Sequence, residues 1–281
     1  MFHDSLITFK AQLFSLCFLC CCLFSTQLFA QTKVLRIPGN VQGDKVRNPY
    51  VDELLRLIFA KQSIDLTIQY NRDRLSQGRA LKELADGGDI DLNWSVTTSE
   101  RETHLLPIRI PIYQGLIGWR TFLIHKDNQA KFAEVKSVED LRAFIAVQRF
   151  DWPDYKILQA NNLLVEGNIS FEIMHKAVLT GLADYFPRSV LEIIREHKKH
   201  NIKDLVIEPS LLIKYPSAYY FFVHPKNIEL AQTIESGFKK AIADGSFARL
   251  FARYHGDSLQ QLFIENRHVI ELNNPLFPQQ N

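Results

Sequence analysis

Cysteine is missing from nearly the whole chain. Cys17, Cys20, Cys21 and Cys22 are the four present, all within one apolar run near the start, and none follows Gln31. What folds beyond that point is built without a disulfide or thiol chemistry, which an oxidising compartment permits but does not require. Strong charge is also missing. The formal charge is +2 over 281 residues, and no basic cluster is interleaved with aromatics. This field is too weak to mark nucleic acid as a partner. The densest basic run, His197-Lys198-Lys199-His200, falls where a helix should end, and cations there complement the helix dipole. There is no G-x-S-x-G turn, phosphate-cradling glycine loop, internal repeat or low-complexity run. Glu172 and His175 have helical i, i+3 spacing, but a carboxylate-bridged metal site needs a second such pair. No metal or cofactor is expected.

What is present is an ordinary globular composition, 46% apolar and 23% charged, long enough for two lobes of domain size. Residues 1–30 read as a cleavable signal peptide. Lys10 precedes an apolar run over 11–24, Ser25-Thr26-Gln27 breaks it, and Ala30 offers a small residue before the cut. The run falls short of the roughly 20 residues of a bilayer span. An uncleaved anchor is the rival reading. A lipoprotein fits less well, because the residues before the cysteines are Leu16, Leu19, Cys20 and Cys21. The mature protein is expected in the periplasm as a monomer.

After residue 31 the pattern alternates strand and helix. Strands are expected at 34–38, 65–70 and 90–94. The helices between them start at Asn48-Pro49 and at Ser76, the second stopping at Gly87-Gly88. This is the pattern of a parallel sheet with helices on its faces. At 111–118 two glycines and a proline break it, and the chain is expected to cross into a second lobe. That lobe should hold strands at 120–125, 144–148, 163–165, 184–186 and 205–208, with helices starting at Ser137, Ser170 and Pro187-Arg188-Ser189. A return crossing is expected near Pro216, then a strand at 217–223 and helices over 228–244 and 247–254. The expected division is residues 31–113 with 217–281 as the first lobe and 114–216 as an inserted second lobe. The tail, 257–281, is expected to pack on the first lobe or hang loose.

One stretch stands out. The strand over 90–94 runs into Thr97-Thr98-Ser99-Glu100-Arg101, a polar turn opening a helix. Such a turn gathers hydroxyls, free N–H groups and a planar guanidinium, donors suited to a carboxylate. Gly88-Asp89-Ile90-Asp91, Thr98-Ser99-Glu100-Arg101 and Pro111-Ile112-Tyr113 together resemble the signature region of the bacterial extracellular solute-binding proteins of family 3, the amino-acid ABC-transporter type. The likeness extends over most of 34–256. It implies a two-lobed α/β fold of the type II periplasmic-binding kind, with a mainly parallel sheet in each lobe, two hinge crossings and a ligand held between the lobes. It also implies that Arg101 holds the ligand's carboxylate.

The chain departs from the family pattern in three places. Val96 stands where a hydroxyl is usual, five residues before the arginine. Ser189, beside Arg188, replaces the aspartate that holds a ligand's ammonium. Phe150-Asp151-Trp152 replaces a Gly-Thr-Thr-like turn. The expected ligand residues are Arg101, Thr98, Thr97, Trp94 and Tyr50 from the first lobe, with Arg188, Ser189, Asp151 and Trp152 from the second. For the threonines the plain alternative is capping, for the aromatics core packing, and for Arg188 a solvent-facing side chain. The expected ligand is anionic, or amino-acid-like but not a simple α-amino acid, because two arginines face it and the ammonium's partner is gone. An ABC permease or a membrane sensor would be the protein partner. Two alternatives stand: a dehydratase-like enzyme with Asp151 or Glu172 as acid, and a ligand-free partner of an envelope sensor.

Overall fold

A computed structural model describes residues 31–39, 48–71 and 75–279. The expected signal peptide lies outside the described residues. Strands β1 (Gln31–Ile37) and β2 (Ile64–Tyr70) pair in parallel. Helix α1 (Pro49–Ala60) connects them, and Asn48 caps it by accepting from the Val51 N–H. Pro49 fills a first-turn position that needs no N–H donor. Its buried face is Tyr50, Val51, Leu54, Leu55, Ile58 and Phe59. Each such side chain removed from water contributes about 1.5–3 kcal/mol, so packing rather than intrinsic propensity holds the helix. Helix α2 (Gln77–Ala85), capped by Ser76, leads to β3 (Leu92–Val96).

The Gly88-Asp89-Ile90-Asp91 segment joins β1 to β3. The Asp91 N–H donates to the Arg36 carbonyl at 2.8 Å, and the Arg36 guanidinium reaches Asp91 at 2.7 Å and Asp89 at 2.6 Å. Burial pushes the Asp91 carboxyl up, but Arg36 outweighs this and holds it below the usual range. The family-like motif is therefore accounted for by sheet assembly. After β3 come α3 (Ser99–His104) and β4 (Leu106–Ile108).

The chain then crosses at 111–118. A Cβ at Gly118 would lie 2.2 Å from the Tyr215 carbonyl oxygen, so glycine lets the outgoing and returning crossings touch. The Tyr215 N–H in turn donates to the Gly118 carbonyl at 3.2 Å. Strand β5 (Trp119–His125) enters the second sheet. Helices α4 (Gln129–Ala133) and α5 (Val138–Leu141) precede β6 (Ile145–Val147), and α6 (Pro153–Ala160) precedes β7 (Leu164–Glu166). Helix α7 (Phe171–Leu179), β8 (Tyr185–Ser189), α8 (Ile193–His200), β9 (Leu205–Ile207) and β10 (Leu211–Lys214) complete it. The spatial order is β10-β5-β8-β6-β7, with β9 also on β5. Strand β6 is parallel to β7 and β8, while β5 is antiparallel to β8, β9 and β10.

Pro187-Arg188-Ser189, expected to open a helix, are instead the last three residues of β8. Strand β6 pairs with β8 only at Tyr185, so Pro187 lies beyond that ladder and its missing N–H leaves no gap there.

After the return, β11 (Tyr219–Val223) runs antiparallel between β3 and β4. Helices α9 (Ile228–Ala243) and α10 (Ser246–Leu262) follow. The second was expected to stop at 254, but it passes through Gly256 and ends with buried Leu262. The tail packs on the first lobe as expected only near its end, at Phe277; before that it joins the second sheet. Residues of β12 (His268–Glu271) pair in parallel with β10, on the second sheet. Ile270 and Leu272 bury there with Phe122, Ile213 and Tyr215, and β12 covers an edge that would otherwise present unpaired backbone groups. Among the described residues, no helix is long and apolar enough to cross a membrane.

Candidate functional site

The first wall of the site is the turn after β3. Thr98 caps α3, its hydroxyl accepting from the Arg101 N–H at 3.1 Å. This cap turns the Arg101 side chain back along the strand. Its Nη1 donates to Ser95 Oγ at 2.6 Å and to the Val96 carbonyl at 2.5 Å, and its Nη2 to Gln77 Oε1 at 3.4 Å. All three acceptors are neutral. Arg101 forms no ion pair among the described residues, and burial pushes its guanidinium below the usual value. A half-buried cation oriented by neutral groups, with Glu100 and Asp154 near but not bonded to it, keeps its fork available for a ligand carboxylate. Val96, which lacks the usual hydroxyl, contributes its backbone carbonyl, and Ser95 supplies the hydroxyl.

The second wall is the turn from β6 into α6. Asp151 is held by Arg149 in two bonds of 2.7 Å. Arg149 keeps the Asp151 carboxyl below the usual range, against an opposing push from burial. Phe150 is 59% exposed, a large apolar side chain facing water. Trp152 and Pro153 begin α6. Between the two walls lies a cleft of ≈ 230 Å³. Thr98, Ser99, Glu100 and Arg101 face Phe150, Asp151, Trp152, Pro153 and Lys156 across it, and Pro275 with Leu276 closes one end. Lys156 is a second cation with no ion pair among the described residues. The structure thus brings four sequence-predicted residues together: Arg101 and Thr98 from one side, Asp151 and Trp152 from the other.

The other five lie elsewhere. Arg188 is buried on β8, gripped by Glu196 at 2.7 and 2.5 Å and by Glu192 at 3.0 Å. Its guanidinium also lies over the rings of Trp152, Phe171 and Phe186 at 5.4, 5.6 and 5.2 Å. Burial pushes Arg188 down, but the two glutamates outweigh it and raise it above its usual value. Its charge is answered inside its own lobe, so the expectation that it faces a ligand is corrected. Ser189 is buried, its hydroxyl accepting from the Leu191 N–H at 3.3 Å. Thr97 is buried and donates to Glu102 Oε1 at 2.6 Å. Tyr50 donates to the Ile112 carbonyl and stacks on Tyr113 at 5.3 Å, inside an aromatic cluster with Phe251, Tyr254 and His255. Trp94 pairs with Phe221 along the sheet and packs on the core. For Tyr50 and Trp94 the plain reading, core packing, describes the contacts, while Thr97 and Ser189 spend their hydroxyls on Glu102 and the Leu191 N–H rather than on caps.

The sequence reading passed over several residues here. Asp154, in the first turn of α6, accepts from Tyr215 Oη and pairs with Arg120 at 2.7 Å, all three buried. An acid in a helix first turn was a usable signal. Nothing in the pattern of β5 marked Arg120. Gln77, Lys156 and Leu276 reach the site only through tertiary contact. Among the described residues, no group of three or more histidine, cysteine, aspartate or glutamate side chains could hold a metal ion.

The fold is that of the two-lobed periplasmic binding proteins. An arginine-specific periplasmic binding protein of Salmonella typhimurium superposes with a TM-score of 0.56 at 14% identity, covering 80% of this chain and 100% of that one. An ancestral amino-acid-binding protein, described as a precursor of cyclohexadienyl dehydratase, gives 0.57 at 15% identity, covering 79% and 95%. A histidine kinase sensor domain with similarity to periplasmic binding proteins gives 0.57 at 14% identity, covering 80% and 97%. At such identities the likeness speaks to the fold alone. No protein-family profile matches the sequence, and no curated protein matches it.

Proposed function

We propose that this protein is a periplasmic solute-binding protein that holds a small carboxylate-bearing molecule between its lobes, for delivery to an ABC-type permease or to a membrane sensor. The observation that carries the reading is Arg101, half-buried in the wall of a cleft between two lobes, hydrogen-bonded to neutral groups and with no carboxylate at ion-pair distance among the described residues. Lys156 on the facing wall adds a second cation, with no ion pair among the described residues, which offsets Glu100. Arg188 no longer supports an anionic ligand, since Glu192 and Glu196 answer its charge. The anionic preference rests on Arg101 and Lys156.

The dehydratase alternative needs a carboxylic acid protonated near neutral pH. Asp151 is held low by Arg149, and Glu172 by backbone and Ser170 hydrogen bonds. Both therefore carry charge rather than a transferable proton. A thermal-shift screen of small mono- and dicarboxylates and amino acids tests the proposal. A ligand well above its Kd should raise the melting temperature by about 2–4 °C for each kcal/mol of linked stability. Arg101→Ala should abolish the shift. A shift that survives this substitution, or one given only by compounds without a carboxylate, would refute the reading.

A further inference from the structure

The C-terminal segment touches both walls of the cleft. It leaves β12 with the Leu272 N–H donating to the Lys214 carbonyl at 2.8 Å. Asn273 and Asn161 then bond each other reciprocally, at 2.9 and 2.8 Å, fixing the segment to the second lobe. Asn274 donates to the Pro216 carbonyl at 2.7 Å, at the return crossing, and accepts from the Leu276 N–H at 2.9 Å. The Leu276 carbonyl accepts from the Ser99 N–H at 3.0 Å. Ser99 is the first residue of α3, whose N–H groups have no partner within the helix.

The next two side chains enter different cores. Leu276 packs against the second-lobe cluster that holds Phe122, Ile213 and Tyr215. Phe277 packs against the first-lobe cluster that holds Leu81, Leu84 and Phe222. Pro275 and Leu276 also form one end of the cleft.

We propose that this segment is a strap that stitches the two lobes together and forms part of the ligand site, with Leu276 determining the length of ligand admitted. Opening the lobes must break the Leu276–Ser99 hydrogen bond and pull Phe277 from its cluster, so the two crossings do not move alone. A ligand whose carboxylate lies on Arg101 and whose far end extends toward Pro275 meets the Leu276 side chain. The strap therefore favours short molecules. The size-limiting part rests on the function proposed above, while the stitching part does not.

Two variants of the full chain separate these parts. One ends after Leu272, keeping β12. The other is Phe277→Ala, which keeps the backbone and loses only the anchor in the first lobe. In ligand-free protein, hydrogen exchange at the Ser99 amide should speed up roughly tenfold in the truncated chain, and less in Phe277→Ala, as expected for loss of one hydrogen bond and its packing. The Ile213 and Ile270 amides should keep their parent rates in Phe277→Ala. An unchanged Ser99 rate in both variants overturns the strap.

Thermal shifts are then read with straight-chain dicarboxylates from succinate to pimelate. The truncated chain should accept longer acids than the parent. The same length limit in both proteins overturns the size-limiting part. If no dicarboxylate shifts either protein, the carboxylate reading fails, and with it the size limit. The Ser99 exchange rates still decide the stitching part.

Discussion

Arg101 and Arg188 look alike in the sequence. Each follows a strand, stands beside hydroxyl residues and lies near the start of a helix. In the fold they are opposites. Arg101 sits in the cleft wall, and among the described residues its guanidinium donates to a serine, a carbonyl and a glutamine, so its charge is left for something else. Arg188 is buried under three aromatic rings with two glutamates on its fork, so its charge is spent on its own lobe. What differs is the company that the next helix supplies. Helix α8 and its leading residue bring Glu192 and Glu196 back over β8. Arg101 lies inside α3, and the position four residues on, where Arg188 finds Glu192, is Leu105.

Four experiments can break or sharpen this contrast. The largest effect should come from Arg188→Ala. Removing one partner of a buried ion pair strands the other, at a cost of about 3–5 kcal/mol. Arg101→Ala should leave stability within about 1 kcal/mol of the parent. Chemical denaturation of both variants checks this, and equal losses would erase the distinction.

Next in size is the double substitution Arg188→Met with Glu196→Leu. Replacing both partners by apolar groups removes the stranded Glu196 charge and leaves only Glu192 at the rim, so about half or more of the loss should return. A double variant as unstable as Arg188→Met alone would mean that Glu196 is not the chief partner.

A smaller effect is the dependence on pH. His175 packs against His200 at 4.1 Å and beside Phe186, and burial pushes it down to about 4. Its folded value lies below the unfolded one, near 6.5. The unfolded chain therefore takes up the proton first, and stability falls as pH drops from about 6.5 toward 4. His255, also pushed down to about 4 by burial, acts in the same window. Glu196 adds a further loss at lower pH. Burial pushes it up, but Arg188 outweighs this and holds it below 4.5, so its contribution is present above that value and fades as the folded carboxylate protonates. Urea midpoints at several pH values should show a shallower fall in His175→Phe, with the His255 part remaining. An unchanged slope would exclude His175 as a contributor.

The smallest effect should come from Trp152→Ala. It removes a ring 5.4 Å from the Arg188 guanidinium and part of the cleft wall. A stability loss of about 1–2 kcal/mol is expected, along with a weaker ligand shift in the thermal assay. A full ligand shift would remove Trp152 from the site.

Much of the fold was legible because it is written locally. Asn48-Pro49 and Ser76 begin helices where the caps predict, and the alternation over 65–70 gives β2. The failures came where distant partners override a local signal. The helix expected over 247–254 runs on through Gly256 to Leu262. A glycine inside a helix costs only about 1 kcal/mol relative to alanine, and burying Leu262 outweighs that. Pro187-Arg188-Ser189 looked like a helix start, yet β5 was waiting beside it with Phe122 opposite Pro187. At the site, Arg101, Thr98, Asp151 and Trp152 were visible because each belongs to a turn between a strand and a helix. Asp154, Lys156 and Leu276 were not, because their role depends on what faces them.

The sequence by itself determined the alternation of strand and helix, the two crossings and the polar turn with its arginine. These follow from periodicity, caps and turn residues, which act over a few positions. Only the tertiary structure decided which arginine keeps an unanswered charge, and only it carried the C-terminal tail across the cleft. Both depend on pairings between residues far apart in the chain, Arg188 with the acids of α8 and Leu276 with Ser99, and no local pattern encodes those.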